Sequence, residues 1–202
     1  MEQVLNNFIF FFAVIDPIGT VPVFLAVTAG YDTKDSRKIA LQAIFLSTMI
    51  LLFFLAAGEL ILDALQIPLP AFQIAGGIVL LLFALTMIFG ESKPDEEIRL
   101  AKNTNEVAVF PLAVPSIASP GAMLAAVLLT DNSRYSLEEQ VFTALAMVAV
   151  LLVALTLLLI SPWINRLIGR NGASVVSRVM GLILSSIAVA NILEGISVYF
   201  EL

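Results

Sequence analysis

The residues of this chain best placed for chemistry are a carboxylate and a hydroxyl. Each is followed at once by proline, and each sits in the middle of an apolar stretch. Asp16-Pro17-Ile18-Gly19 interrupts NNFIFFFAVIDPIGTVPVFLAV, and Ser119-Pro120-Gly121 interrupts VAVFPLAVPSIASPGAMLAAVLL. An Asp or Ser side chain accepts hydrogen bonds from the first free N–H groups of a helix, and proline suits the first helical position because it has no N–H to satisfy. Each pair therefore reads as a helix start inside a stretch long enough to be one helix. Hydrocarbon cannot satisfy the backbone groups that such a start exposes, so the break must be buried in protein or line a cavity. The candidate binding residues are Asp16, Pro17, Ile18, Gly19 and Thr20 at the first break and Ser119, Pro120, Gly121 and Ala122 at the second.

The restarts around Ile18 to Thr20 and Gly121 to Met123 would offer N–H groups and a positive helix end to an anionic group. The half-helices ending before them would offer bare carbonyls to a cation or an ammonium. A small zwitterion meets both demands. Gly19 and Gly121 carry no side chain to hold a ligand away from the backbone. Asp16 is the only acidic residue placed near the midplane, where an ionisable group is expensive. It reads as a helix cap, as a partner for a substrate ammonium, or as a carboxyl that takes up a proton during transport. Ser119 holds the matching place and cannot titrate, so the two halves of the site differ in charge. Glu59 and Glu194 fall near the outer ends of their helices and read as interfacial.

These residues need a membrane scaffold, and composition supplies one. Of 202 residues, 60% are hydrophobic and 13% charged, with a mean hydropathy of +1.02. Soluble domains are about a quarter charged. Six spans follow, at roughly 4–29, 39–62, 70–90, 107–130, 140–161 and 175–199, each beyond the ~20 residues needed to cross. Glu2 is the only charge before Asp16, where a signal peptide would have a basic start, so the first stretch reads as a retained span. The chain has neither cysteine nor histidine, which removes disulfides, thiolate metal sites and the usual proton relay. No cofactor and no metal site are expected.

Basic residues set the expected orientation. Lys34, Arg37, Lys38, Lys93, Arg99, Lys102, Arg166, Arg170 and Arg178 fall on one side, and Arg134 alone on the other. By the positive-inside rule the first side is cytoplasmic and both termini face away from it. The second half echoes the first: Pro17 matches Pro120 at an offset of 103, which also sets Asp32-Thr33-x-Asp35 against Tyr135-Ser136-x-Glu138. The third spans match at an offset of 105, pairing Gly76 with Gly181 and Gly90 with Gly195. Three spans per half is an odd number, so the halves oppose each other in the membrane. The expected fold is an all-α membrane protein of six transmembrane helices in two inverted three-helix repeats, with helices 1 and 4 discontinuous. Residues 1–90 form the first repeat, 91–106 a charged cytoplasmic linker and 107–202 the second repeat.

Four stretches carry a resemblance: DPIGTVPVFL at 16–25, IAGGIVLLLFALTMIFG at 74–90, FPLAVPSIASPGAM at 110–123 and SRVMGLIL at 177–184. In these the chain resembles the MarC family of integral membrane proteins, which includes transporters of small neutral amino acids. The resemblance implies a six-span protein of a prokaryotic cytoplasmic membrane, with the two Pro/Gly segments forming the central site. The family typically has Gly-Pro-Gly where this chain has Ser119-Pro120-Gly121, and often Asn in place of Asp16.

The expected function is secondary active transport of a small polar solute, a small neutral amino acid, by alternating access. A proton or sodium ion is the candidate coupling ion, the lipid bilayer is the solvent, nucleic acid is not a partner, and an oligomer is compatible. The alternatives are a passive channel or a regulatory membrane protein, with an intramembrane enzyme ranked behind them. An enzyme would need a titratable pair facing one cavity. No second deep aspartate accompanies Asp16, and Ser119 has no histidine or buried lysine to activate it.

Overall fold

The computed structural model describes residues 2–89, 106–132 and 134–201. All regular structure among them is helical. In chain order it comprises α1 (Glu2–Ile15), α2 (Pro17–Val27), α3 (Thr33–Ala64), α4 (Leu69–Phe89), a proline-rich segment (Ala108–Ile117), α5 (Pro120–Leu128), α6 (Leu137–Leu159) and α7 (Ser161–Tyr199). Five stretches are each long and apolar enough to cross a bilayer, and the proline segment with α5, bent by 54°, makes a sixth if the pair is one span. The chain is a multi-pass, all-helical membrane protein. The linker expected at 91–106 lies, apart from Glu106, outside the described residues, as do Lys93, Arg99 and Lys102.

Two helices begin earlier than their apolar stretches. α3 starts at Thr33 because Asp32 caps it, its Oδ1 accepting from Asp35 N at 2.7 Å. The first turns of α3 therefore carry Lys34, Asp35, Arg37 and Lys38. α7 starts at Ser161, with proline in its first turn, although its membrane-length apolar part begins only at Ser174. Hydropathy marks immersion in hydrocarbon, whereas caps and prolines mark where a helix begins. The connection expected between the fifth and sixth spans is therefore helical. At the start of α6, Ser136 is the cap, with Glu139 closing a capping box. The two polar turns thus match Asp32 with Ser136 rather than with Tyr135.

The broken spans occupy the middle of the bundle. Within the first span, 67% of residues are buried in protein, against 22% to 39% for the four long helices. Phe11, Ile15, Leu112 and Ile117 from the broken spans pack with Leu51, Leu80, Met147, Leu151 and Leu184 from the long ones. The outer faces present Phe45, Phe53, Leu82, Leu145, Leu152 and Leu182. Such faces suit lipid, where exposure of a leucine costs nothing and association relies on packing.

Small residues bring the helices close. A Cβ at Gly77 on α4 would lie 3.1 Å from the Ala188 carbonyl of α7. On α7, one at Gly181 would lie 3.0 Å from the Ala84 carbonyl, and one at Gly195 3.0 Å from that of Pro70. α4 and α7 thus run antiparallel with their backbones nearly touching. Gly58 and Gly76 make room for Val127 and Leu124 of α5. The helix that restarts at the second break is therefore seated against α3 and α4.

Candidate functional site

The two breaks are built differently. At the first, Asp16 alone interrupts the helix, with φ 49° and ψ 65°. The ladder closes around it: Asp16 N donates to Phe12 C=O and Thr20 N to Asp16 C=O, both at 3.1 Å. Left-handed backbone is unfavourable for residues with a Cβ, and Asp and Asn tolerate it best. The second break is deeper. Phe110 and Val114, each preceding a proline, take extended φ/ψ of −131°, 125° and −133°, 126°. Proline crowds the residue before it out of the helical region and donates no N–H, so the repeated Phe110-Pro111 and Val114-Pro115 pairs unwind the segment. The half-helix expected before Ser119 is a wound segment, Ala108–Ile117, interrupted at Phe110 and Val114.

Both capping side chains do the expected work at equivalent places. Asp16 Oδ1 accepts from Gly19 N at 3.0 Å, and Ser119 Oγ accepts from Ala122 N at 3.1 Å. Thr20 N and Met123 N go to the carbonyls of the same two caps. Four of the N–H groups expected to face a ligand are thus held by their own caps. Further bonds join the breaks to each other. Ser119 Oγ donates to the Val14 carbonyl at 2.9 Å, and Ser116 Oγ donates to Thr20 Oγ1 at 3.1 Å. Ser47 of α3 adds a donor to the Ala113 carbonyl at 3.3 Å.

The Asp16 carboxylate also reaches a third helix. Its Oδ2 accepts from the hydroxyl of Ser177 on α7 at 3.1 Å. The carboxyl is 2% exposed, and among the described residues no cation pairs with it. Gly19 permits this arrangement, because a Cβ there would overlap Asp16 Oδ2 and come within 2.6 Å of Ser177 Oγ. Gly121 leaves a space that Leu80 fills, its Cδ1 standing 2.6 Å from where a Cβ would be. Thr20, Ser116, Ser119, Ser177 and Ala122 are buried, as are Pro17, Gly19 and Gly121. Ile18 is half-buried and Pro120 is exposed, so these two stand at the edge of the group.

Sequence reasoning brought Asp16, Gly19, Thr20 and Ser119 together but missed Ser116, Ser177 and the Val14 carbonyl. The signal was present. Ser116 and Ser177 lie inside quoted apolar stretches, where a hydroxyl needs a partner once buried. What such a stretch does not encode is which distant helix supplies that partner.

The bridge between the breaks is open to a double-mutant cycle. Ser116→Ala and Thr20→Val each remove one end of a buried neutral hydrogen bond, worth about 0.5–1.5 kcal/mol net. The expected coupling in reversible unfolding is about 1 kcal/mol. A coupling of zero would mean that the two hydroxyls do not hold the breaks together.

The chemistry on offer is one buried carboxylate, four hydroxyls and backbone carbonyls in a closed, apolar setting. That set can exchange its internal hydrogen bonds for those of a small polar solute. The chain is similar to known proteins over almost its whole length. A relative in Methanocaldococcus jannaschii, a UPF0056 membrane protein, is 38% identical over 92% of this chain and 91% of its own length. UPF0056 membrane proteins of Aquifex aeolicus and Bacillus subtilis are each 32% identical, covering 94% and 98% of this chain and 90% and 95% of theirs. No solved structure matches. The family described as MarC family integral membrane protein matches residues 1–200, and the chain belongs to that family.

Proposed function

We propose that the protein is a secondary active transporter that carries a small polar solute, a small neutral amino acid, through the buried site between its two helix breaks by alternating access. The observation that carries this reading is the bridge itself. Two interrupted spans meet at the centre of the bundle through Ser119–Val14 and Ser116–Thr20, with Asp16 held by Ser177 alongside. Interrupted helices meeting at the midplane are the usual substrate site of transporters with internal repeats. Each neutral bond is worth only about 0.5–1.5 kcal/mol net, so a solute with its own donors and acceptors can replace several without a large barrier.

In this reading the structure corresponds to the closed state between two open ones. The solute's ammonium takes the Asp16 carboxylate and its carboxylate takes the N–H groups released by the caps. The side bearing Lys34, Arg37 and Lys38 is cytoplasmic, and both termini face outward from a prokaryotic cytoplasmic membrane.

Purified protein in sealed vesicles tests the reading. Labelled glycine, alanine and serine are offered with and without a proton or sodium gradient. Saturable flux of at least one, driven by one of the gradients, is expected. Absence of flux for all three under every condition removes the amino-acid reading, and flux that never saturates favours a channel.

A further inference from the structure

A second polar cluster lies at the end of the bundle opposite the first turns of α3, in the turn that follows α5. The turn between α5 and α6 carries Asp131, Asn132, Arg134 and Tyr135. Arg134 Nη1 bonds Glu194 Oε1 of α7 at 2.6 Å, and its Nε lies 3.4 Å from Asp131 Oδ2. The other Glu194 oxygen accepts from Gln73 Nε2 of α4 at 3.1 Å. Glu59 of α3 accepts from the Asn132 backbone N–H at 2.9 Å. Three long helices are thereby tied to one turn. Among the described residues the group holds three carboxylates and one guanidinium. Burial, with Glu194 and Asp131 close by, pushes the Tyr135 hydroxyl above its usual value.

Two observations single this cluster out as a place for a ligand. Gln73 is 2% exposed, its amide is bonded into the cluster, and its Oε1 has no partner among the described residues, where Asn191 Nδ2 of α7 is the other buried side-chain atom left without one. An orphaned buried carbonyl costs about 1–3 kcal/mol unless something donates to it. Beside it, the Arg134–Glu194 pair is partly open, with side chains 32% and 51% exposed. A pair so exposed to water adds little stability and is cheap to exchange.

We infer that Gln73, Glu194 and Arg134 form an outer recognition site for the primary ammonium of a small solute. The ammonium replaces the Arg134 guanidinium on Glu194 and donates to Gln73 Oε1. Arg134, still paired with Asp131 through Nε, then offers Nη1 to a carboxylate on the same solute, so a zwitterion is received at both ends. The Arg134–Glu194 bond ties the turn after α5 to α7, so its replacement also frees that turn from α7. The site stands apart from the transport reading, since it rests on its own residues.

The test uses the full chain in lipid nanodiscs, in an Asp16→Asn background that removes the central carboxylate. Thermal unfolding is followed against methylammonium chloride, with sodium chloride at equal ionic strength as the control. A ligand that binds only the folded state raises the midpoint saturably. Methylammonium is expected to do so, and Gln73→Leu and Glu194→Gln are each expected to move the half-saturation point about tenfold upward or more. Glu194→Gln keeps the shape of the side chain, so it remains informative if Gln73→Leu folds poorly. An unchanged half-saturation point in both variants overturns the site. So does an equal shift with sodium, which would mark a general cation effect, or no shift with methylammonium at all. A failure of vesicle flux leaves these readings untouched.

Discussion

Gly19→Val is expected to unfold the centre of the protein and, in the transport reading, to stop flux, with a stability loss of about 4 kcal/mol or more. The added Cβ falls on Asp16 Oδ2 and within 2.6 Å of Ser177 Oγ. Neither neighbour can yield cheaply. The Asp16 side chain is fixed at one end by Gly19 N and at the other by Ser177, and its backbone is already left-handed. Pushing the carboxylate aside breaks both of its bonds and leaves a charge buried without partners. Overpacking alone costs about 1–3 kcal/mol, and hydrogen bonds to a charged group add about 1.5–3 each. Gly30→Ala supplies the control, because a Cβ there meets nothing within 4 Å. Chemical unfolding in detergent should place Gly30→Ala within about 0.5 kcal/mol of the parent protein. If Gly19→Val unfolds no more easily than Gly30→Ala, the Asp16–Ser177 contact is not holding the break closed.

The scaffold was legible because each of its signals is local. Asp16-Pro17 and Ser119-Pro120 announce helix starts, and both side chains do cap the N–H three residues on. Two glycines matched across the repeat, Gly181 and Gly195, each face a carbonyl of α4. Two kinds of feature stayed hidden. Helix ends extend past the apolar stretches, because Asp32 and Pro162 start helices outside them. Long-range partners were hidden as well: nothing local ties Ser177 to Asp16 or Glu194 to Gln73, since those pairs arise only when α7 packs back on the first half. The caps illustrate the same limit. Local spacing shows that Asp16 and Ser119 satisfy helix N–H groups, but not that Ser119 spends its own proton on Val14. The site is thus more self-satisfied than the two breaks imply when each is read alone.

That self-satisfaction makes the charge of Asp16 separable from its shape. Asp16→Asn is expected to leave stability within about 1 kcal/mol of the parent, because Asn tolerates left-handed backbone and its Oδ1 can still accept from Gly19 N. Its amide takes the place of Oδ2 and donates to the Ser177 oxygen, whose hydroxyl rotates to suit. Asp16→Ala is different. It loses the cap, at about 1 kcal/mol, and the tolerance of φ 49°, at about 1–2 more. The order of stability is therefore Asp, Asn, Ala, with a wide gap before Ala. The order of binding separates elsewhere. A carboxylate-to-ammonium hydrogen bond is worth about 1.5–3 kcal/mol, so Asn is expected to weaken the binding of alanine about 10- to 100-fold with the fold intact. Equilibrium binding of labelled alanine and unfolding measured on the same three proteins decide the matter. Unchanged binding in Asp16→Asn with flux that no longer responds to a proton gradient would move the carboxylate from the solute to the coupling ion. Unchanged binding and unchanged coupling would leave it a helix cap, and the transport site would then rest on the hydroxyls of Thr20, Ser116 and Ser119.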